Sequence, residues 1–503
     1  MKTKLSFNSL NAIREKETVK MRAVMVMFDS LIRDYLPGNS DKSLNLPHFE
    51  KLTKNSTVFE NFYSGSLPCI PARRELHTGK YNFLHRTWGP LEPFDNSVIS
   101  ELSKNEIYTH LITDHFHYWE DGGSTYHSRY DSWEGFRGQE NDAWKPMIHE
   151  SKKDNNNKFN RDDKDVLQHY ANRDAWKSIE DTPTFKVIES GKEFIKKYKD
   201  DENWFLQLEC FSPHEPFYIP GIQDIDSSIY WPKYGEIDLN LNRDEINDSR
   251  DLYSKILKSC DDLLGEVLEM FDKYNMWEDT MLIVNTDHGF LIGDHNWIGK
   301  NVMPLYNEVV HIPFYLHVPG YSNNVCLELA QTIDIPATLL DYFDIRSFDN
   351  MEGKSLLNVL ENDRKNHDNI LFGTNGGQTC IYDGRYVYMR SSSNPSNGPR
   401  FNYTLMPMKT KSFISINELI NMELISGNKF SNYVPILKIE LDNVKDTYRF
   451  GNLLYDLKND PQQKNPINNE RLETEIIKKL VARMKEIEAP EEEFERLGLT
   501  EFS

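Results

Sequence analysis

The sequence predicts an α/β fold: a large mixed, mainly parallel sheet sandwiched by helices, followed by a smaller C-terminal antiparallel sheet plus a helix. Three observations predict it. Continuous apolar runs of strand length alternate with segments of helical periodicity, the pattern of strands buried on both faces beneath helical layers. Polar and titratable residues gather directly after the ends of those runs, where open α/β sheets place their ligands. Beyond residue 365 the runs become short and are joined by tight turns, an antiparallel signature.

Taken in order, residues 1–20 form an N-terminal extension whose early lysines are followed by Asn8, Ser9 and Asn11 instead of an apolar stretch, so it does not read as a secretory signal. Residues 21–365 form the main unit. Its first strand, 23–28, is wholly apolar and ends at Asp29. Residues 109–113 and 204–208 are further strands, each followed by a histidine-containing loop. A helix over 251–273 carries Leu252, Ile256, Leu263, Leu264, Val267, Leu268 and Phe271 at helical spacing. It leads into a strand at 280–284, with Asp287 and His288 just past its end. Asn155, Asn156 and Asn157 mark a polar loop, and the polar run 361–366 a linker or surface loop. The smaller C-terminal subdomain, 366–470, contains strands at 380–382 and 386–389 joined through Asp383-Gly384. In the final part, 471–503, a helix over 472–488 places Ile476, Leu480, Met484 and Ile487 on one face. That face packs on its own chain or permits a homo-oligomer.

The chain has 503 residues, 38% apolar and 12% aromatic, enough for a packed interior and more than one ordinary core. Its 58 basic and 79 acidic side chains leave a net charge of −21, which argues against nucleic acid as a partner while leaving room for one positive cleft. There is no apolar window long enough to span a membrane. The five cysteines, at 69, 210, 260, 326 and 380, are odd in number and scattered, so no disulfide framework is expected and the chain reads as cytoplasmic.

The segment that carries chemistry is Leu67-Pro68-Cys69-Ile70-Pro71-Ala72-Arg73, continuing to Thr78-Gly79. It resembles the signature of the type I sulfatases of the alkaline phosphatase superfamily. Other segments resemble the same family in the same order. Asp29 matches its first metal-binding aspartate, and Asp287-His288 the late metal pair. The Ser212-Pro213-His214-Glu215-Pro216 loop is similar to its PHxP loop. The stretch from Gly293 through His295 to Lys300 resembles the segment supplying the late active-site lysine. Leu454-Tyr455-Asp456-Leu457, running on to Asp460-Pro461, is similar to a stretch common near sulfatase C-termini. The resemblance runs from about residue 21 to about residue 470.

It implies that Cys69 is oxidised after translation to formylglycine, by a formylglycine-generating or an anaerobic sulfatase-maturing enzyme, and that the aldehyde hydrate attacks a small-molecule or carbohydrate sulfate ester. It implies one divalent metal held by Asp29, residue 69, Asp287 and His288, with Arg73, His117, His214 and Lys300 catalytic and His115 and His295 binding substrate. The residue types suit that chemistry. A sulfate monoester is an anion, so its oxygens need cations around them, and a bound metal acidifies the nucleophile. Arg73 stands one helical turn beyond Cys69, and a helix beginning at Cys69 aims its backbone dipoles at the anion.

The sequence departs from the family in three places. Ser30 stands where a second aspartate is usual, His288 where an asparagine is usual, and His115 where an early lysine is usual, with His117 two residues on. Calcium, the metal the family implies, prefers all-oxygen shells; the imidazole suits manganese or zinc. The aspartate–histidine pair also resembles phosphonate monoester hydrolases of the superfamily. A phosphonate monoester or phosphodiester hydrolase is therefore the alternative, and a non-catalytic anion- or metal-binding protein on the same scaffold the alternative of another class.

Overall fold

The structure is a computed structural model that describes residues 21–148, 163–221, 231–322, 324–362, 365–441 and 445–502. The N-terminal extension, the Asn155–Asn157 tract and residues 363 and 364 of the expected linker lie outside the described residues.

The main sheet has eight strands: β1 (Arg22–Phe28), β2 (Thr57–Phe59), β3 (Tyr108–Thr113), β4 (Ser132–Gly135), β5 (Trp204–Cys210), β6 (Thr280–Asn285), β7 (Tyr315–His317) and β8 (Val325–Cys326). Their order is β8-β2-β7-β6-β1-β5-β3-β4. From β6 to β4 every pairing is parallel, and only β7 runs against the others. Strand β1 lies at the centre because both its faces are apolar. Val24, Val26 and Phe28 enter one core with Leu206, Leu208, Leu282 and Val284. Ala23, Met25 and Met27 enter the other with Phe205, Met281 and Ile283.

Helices cover both faces: α1 (Pro47–Asn55), α2 (Cys69–Thr78), α3 (Val98–Lys104), α4 (Pro183–Tyr198), α5 (Leu239–Lys273) and α6 (Asp334–Tyr342). The first core takes the apolar faces of α1, α4 and α5. The second takes those of α2, α3 and α6. Fully burying an aliphatic side chain of this kind contributes about 1.5–3 kcal/mol. Helix α5 begins 12 residues before the expected 251, where Asp238 caps it by accepting from the Asn240 N–H. The first twelve residues bury only Ile246 and Ser249, too sparse a stripe to show as periodicity, and a kink at Asn242 breaks its register.

The second sheet contains β9 (Ile370–Thr374), β10 (Thr379–Tyr382), β11 (Tyr386–Arg390) and β12 (Leu453–Asp456), antiparallel throughout. A fifth strand, Ser66–Leu67, immediately ahead of Cys69, adds to this sheet by pairing in parallel with β9. Helix α7 (Glu470–Glu486) packs Ile476, Leu480, Val481 and Met484 against Leu371, Ile381 and Tyr388, so the expected apolar face is covered by its own chain. A third antiparallel sheet joins Phe401–Thr404, Ile436–Glu440 and Glu423–Ile425. No helix among the described residues is long and apolar enough to cross a membrane.

Candidate active site

The carboxyl ends of β1, β3, β5 and β6 lie side by side, so the residues that follow them meet in space. Asp29 follows β1, His115 follows β3, His214 follows β5, and Asp287 and His288 follow β6. Helix α2 begins opposite them at Cys69. Asp29, Cys69, Asp287 and His288 each offer a ligand atom within 4.8 Å of the others, and all four are buried. Cys69 Sγ lies 3.2 Å from His288 Nε2, which is 3.4 Å from Asp287 Oδ2 and 4.0 Å from Asp29 Oδ1. Two carboxylates, one imidazole nitrogen and residue 69 converging without solvent fit a divalent cation.

Arg73 ties the cluster together. Its Nη2 donates to Asp29 Oδ2 (2.8 Å), its Nε to Glu209 Oε1 (2.7 Å), its Nη1 to Asp287 Oδ2, and Nη1 also reaches the Cys69 carbonyl (3.1 Å). Burial opposes ionisation of Asp29, but Arg73, Lys300 and His288 outweigh it and hold the carboxyl at about 2. Ser30, where the family has a second aspartate, donates its hydroxyl to Asp29 Oδ1 (2.8 Å) and its N–H to Asp287 Oδ1 (3.2 Å). It thus orients the carboxylates.

Lys300 stands on the other side, with Nζ 3.4 Å from Cys69 Sγ and 2.5 Å from His214 Nε2. Burial works against its ammonium, yet the neighbouring acidic groups, Glu215 and Asp29 among them, hold the proton on. Burial pushes His214 well below the usual imidazole range, aided by Lys300. Burial and the neighbouring Asp29 push the Cys69 thiol well up, so the unmodified side chain is a poor thiolate nucleophile.

His115 Nε2 lies 3.7 Å from Asp29 Oδ2, and neither ring nitrogen has a hydrogen-bond partner. Burial, then Arg73, push its pKa well down. The His117 ring is 5.2 Å from that of His115, and its Nδ1 bonds Glu120 Oε2 (2.7 Å). The structure therefore brings Asp29, Cys69, Arg73, His214, Asp287, His288 and Lys300 into one cluster, with His115 against it and His117 one ring farther out. His295 hydrogen-bonds Glu308 (3.2 Å) and stacks on Tyr306 (3.7 Å between ring centroids).

Sequence reasoning missed Glu209 and Glu140. Glu209 braces Arg73 and accepts the Tyr118 hydroxyl (2.9 Å); its signal was a lone carboxylate in an otherwise buried strand. Glu140, 3.3 Å from His214 Nδ1, had no local signal.

The chain matches the family model described as Sulfatase over residues 22–345. An arylsulfatase of Clostridium perfringens (strain 13 / Type A) is 24% identical over 385 residues, covering 68% of this chain and 79% of that protein. A ulvan-active sulfatase of Formosa agariphila is 24% identical over 405 residues, covering 76% of this chain and 75% of that one. A solved phosphonate monoester hydrolase of Agrobacterium radiobacter shares the fold, with a TM-score of 0.64 at 15% identity over 93% of this chain and 95% of the other.

Proposed function

Because the chain belongs to the sulfatase family and is a sulfuric ester hydrolase, we propose that Cys69 is oxidised to formylglycine and that its hydrate opens a small or carbohydrate sulfate ester. The observation that carries this reading is that Cys69 opens a helix and faces Lys300 at 3.4 Å and His288 at 3.2 Å, inside the donor set of Asp29 and Asp287. Sulfate oxygens are held by the helix N-terminus, Lys300 and His115. One hydrate oxygen attacks sulfur and the bond from sulfur to the ester oxygen breaks. The leaving alkoxide takes its proton from the His214–Lys300 pair, whose nitrogens are 2.5 Å apart. The second hydroxyl then gives up its proton, with His117, one ring behind His115, as the base that finally carries it, the carbon–oxygen bond to sulfate breaks, and the aldehyde returns to be rehydrated. Arg73 holds Asp29 and Asp287 in place throughout.

A divalent cation bound by Asp29, Asp287, His288 and residue 69 would supply Lewis acidity to the oxygens of ester and nucleophile. Calcium follows from the family; the His288 nitrogen suits manganese or zinc. Maturation of Cys69 requires a formylglycine-generating or anaerobic sulfatase-maturing enzyme as a partner. The Asp287-His288 pair favours one second reading, a phosphonate monoester or phosphodiester hydrolase with the same nucleophile. Turnover of 4-nitrophenyl sulfate, a phenylphosphonate monoester and bis(4-nitrophenyl) phosphate by matured enzyme separates the two. The sulfate ester is expected to have the highest kcat/KM, and no sulfate turnover would reject the first reading. Cys69→Ala should lower that turnover by at least about a thousandfold.

A further inference from the structure

We propose that Lys411, presented at the rim of the site by a tight turn of the C-terminal half, binds a second anionic group of the substrate. The ester this site selects is then at least doubly anionic, with a carboxylate or further sulfate near the one that reacts. The inference rests on the sulfatase reading above and adds to it a substrate class.

The turn is built for presentation. Ile414 N–H donates to the Pro407 carbonyl (3.1 Å) and Lys409 N–H to the Ser412 carbonyl (2.7 Å), while Met408 and Phe413 bridge as antiparallel partners. Thr410 and Lys411 are left at the tip. Lys409 Nζ pins the base through both oxygens of Glu418, at 2.8 and 3.1 Å. The tip docks on the segment that carries His117, where Gly122 N–H donates to the Thr410 carbonyl (2.9 Å). A Cβ at Gly122 would lie 2.5 Å from the Lys409 carbonyl oxygen, so this approach of two backbones requires glycine.

Thus held, Lys411 Nζ lies 5.6 Å from the centroid of the Phe116 ring and 3.7 Å from Glu120 Oε1, with 53% of its side chain exposed. The other Glu120 oxygen is taken by His117 Nδ1 at 2.7 Å. From Asp29 the path outward runs through His115, His117 and Glu120 to this ammonium. An ion pair as long and as exposed as Lys411–Glu120 is weak, so Lys411 is not consumed by it. Its ammonium has three donors, and Glu120, at 3.7 Å, lies beyond hydrogen-bond distance of them. In a chain of net charge −21, a cation of this kind beside an anion site sets a local field opposite to that of the whole molecule. Trp88, edge-on to His117 at 5.2 Å between centroids, adds an aromatic wall to the same rim.

The test compares kcat/KM for 4-nitrophenyl sulfate with that for its 3-carboxy derivative, in wild type, Lys411→Ala and Lys411→Arg. Wild type should favour the carboxylated probe. That preference should fall about tenfold in Lys411→Ala, the worth of one charge-assisted hydrogen bond, and return in Lys411→Arg. No preference in wild type, or an equal preference in wild type and Lys411→Ala, overturns the proposal. Failure of wild type to turn over either sulfate would instead sink the sulfatase reading beneath it.

Discussion

Three buried carboxylates, those of Asp29, Glu209 and Asp287, converge on the single guanidinium of Arg73, and none of them is in contact with solvent. Removing that cation leaves buried negative charge uncompensated, a loss of about 3–5 kcal/mol when one partner of a buried pair is deleted. Arg73→Met should therefore lower folding stability by that amount in a urea titration, beyond abolishing activity. Glu75, two residues on, makes a pH-dependent contribution. Burial raises its carboxyl to about 8, and it accepts from the Ser66 N–H and the Thr332 hydroxyl. The folded state thus keeps a proton that the unfolded chain releases above 4.5, so this contribution is lost as pH rises from there through about 8. Between pH 6 and 8 the wild-type unfolding free energy from urea titration should fall more steeply than that of Glu75→Gln, by up to about 1.4 kcal/mol per pH unit. At this scale Cys69 and Arg73 were legible because they lie in one segment that resembles the sulfatase signature, and one helical turn relates them. Glu209 was not, because the guanidinium it serves comes from an element 136 positions away.

The site is made where elements end, and the ends depend on contacts that no single element contains. Gly289, directly after His288, lies so close to the Glu308 carbonyl oxygen that a Cβ would be 2.0 Å from it. Gly289→Ala should push the β6 loop outward, carrying Asp287 and His288 with it, and cut kcat/KM for aryl sulfate by at least about tenfold while the fold persists by circular dichroism. Helix α7 is part of the same body, since Leu480 is fully buried against the second sheet. Leu480→Ala should cost about 2–5 kcal/mol, read as a lowered denaturant midpoint. The four central strands of the main sheet, β1, β3, β5 and β6, could be read within a residue or two because they are buried and largely apolar, whereas the short outer strands β2, β4, β7 and β8 carried no such run. The start of α5 could not, since a mostly solvated first stretch leaves only its Asp238 cap as a sign.

For the whole molecule, burial of titratable groups decides how stability varies with pH. Burial pushes His77, His85 and His311 to about 3, so the unfolded chain takes up protons below 6.5 that the folded one refuses, and stability is lost as pH falls from 6.5 towards 3. Burial raises Asp114 to about 7 and Glu75 to about 8, and their contribution is lost as pH rises. Burial lowers His115 and His214 in the same direction as those three histidines, so the melting temperature should fall as pH drops from 6.5 towards 4. The α/β class and the order of the site residues were legible along the chain. The pairing of β9 with Ser66–Leu67, which joins the C-terminal sheet to the segment before Cys69, was not, because nothing in a two-residue strand announces a partner three hundred positions later. The account depends above all on the chemical state of residue 69, and the mass of the peptide containing it, taken from enzyme active on aryl sulfate, tests that most directly. The expected mass reflects loss of one sulfur and two hydrogens and gain of one oxygen; an unmodified thiol throughout a fully active sample would contradict it.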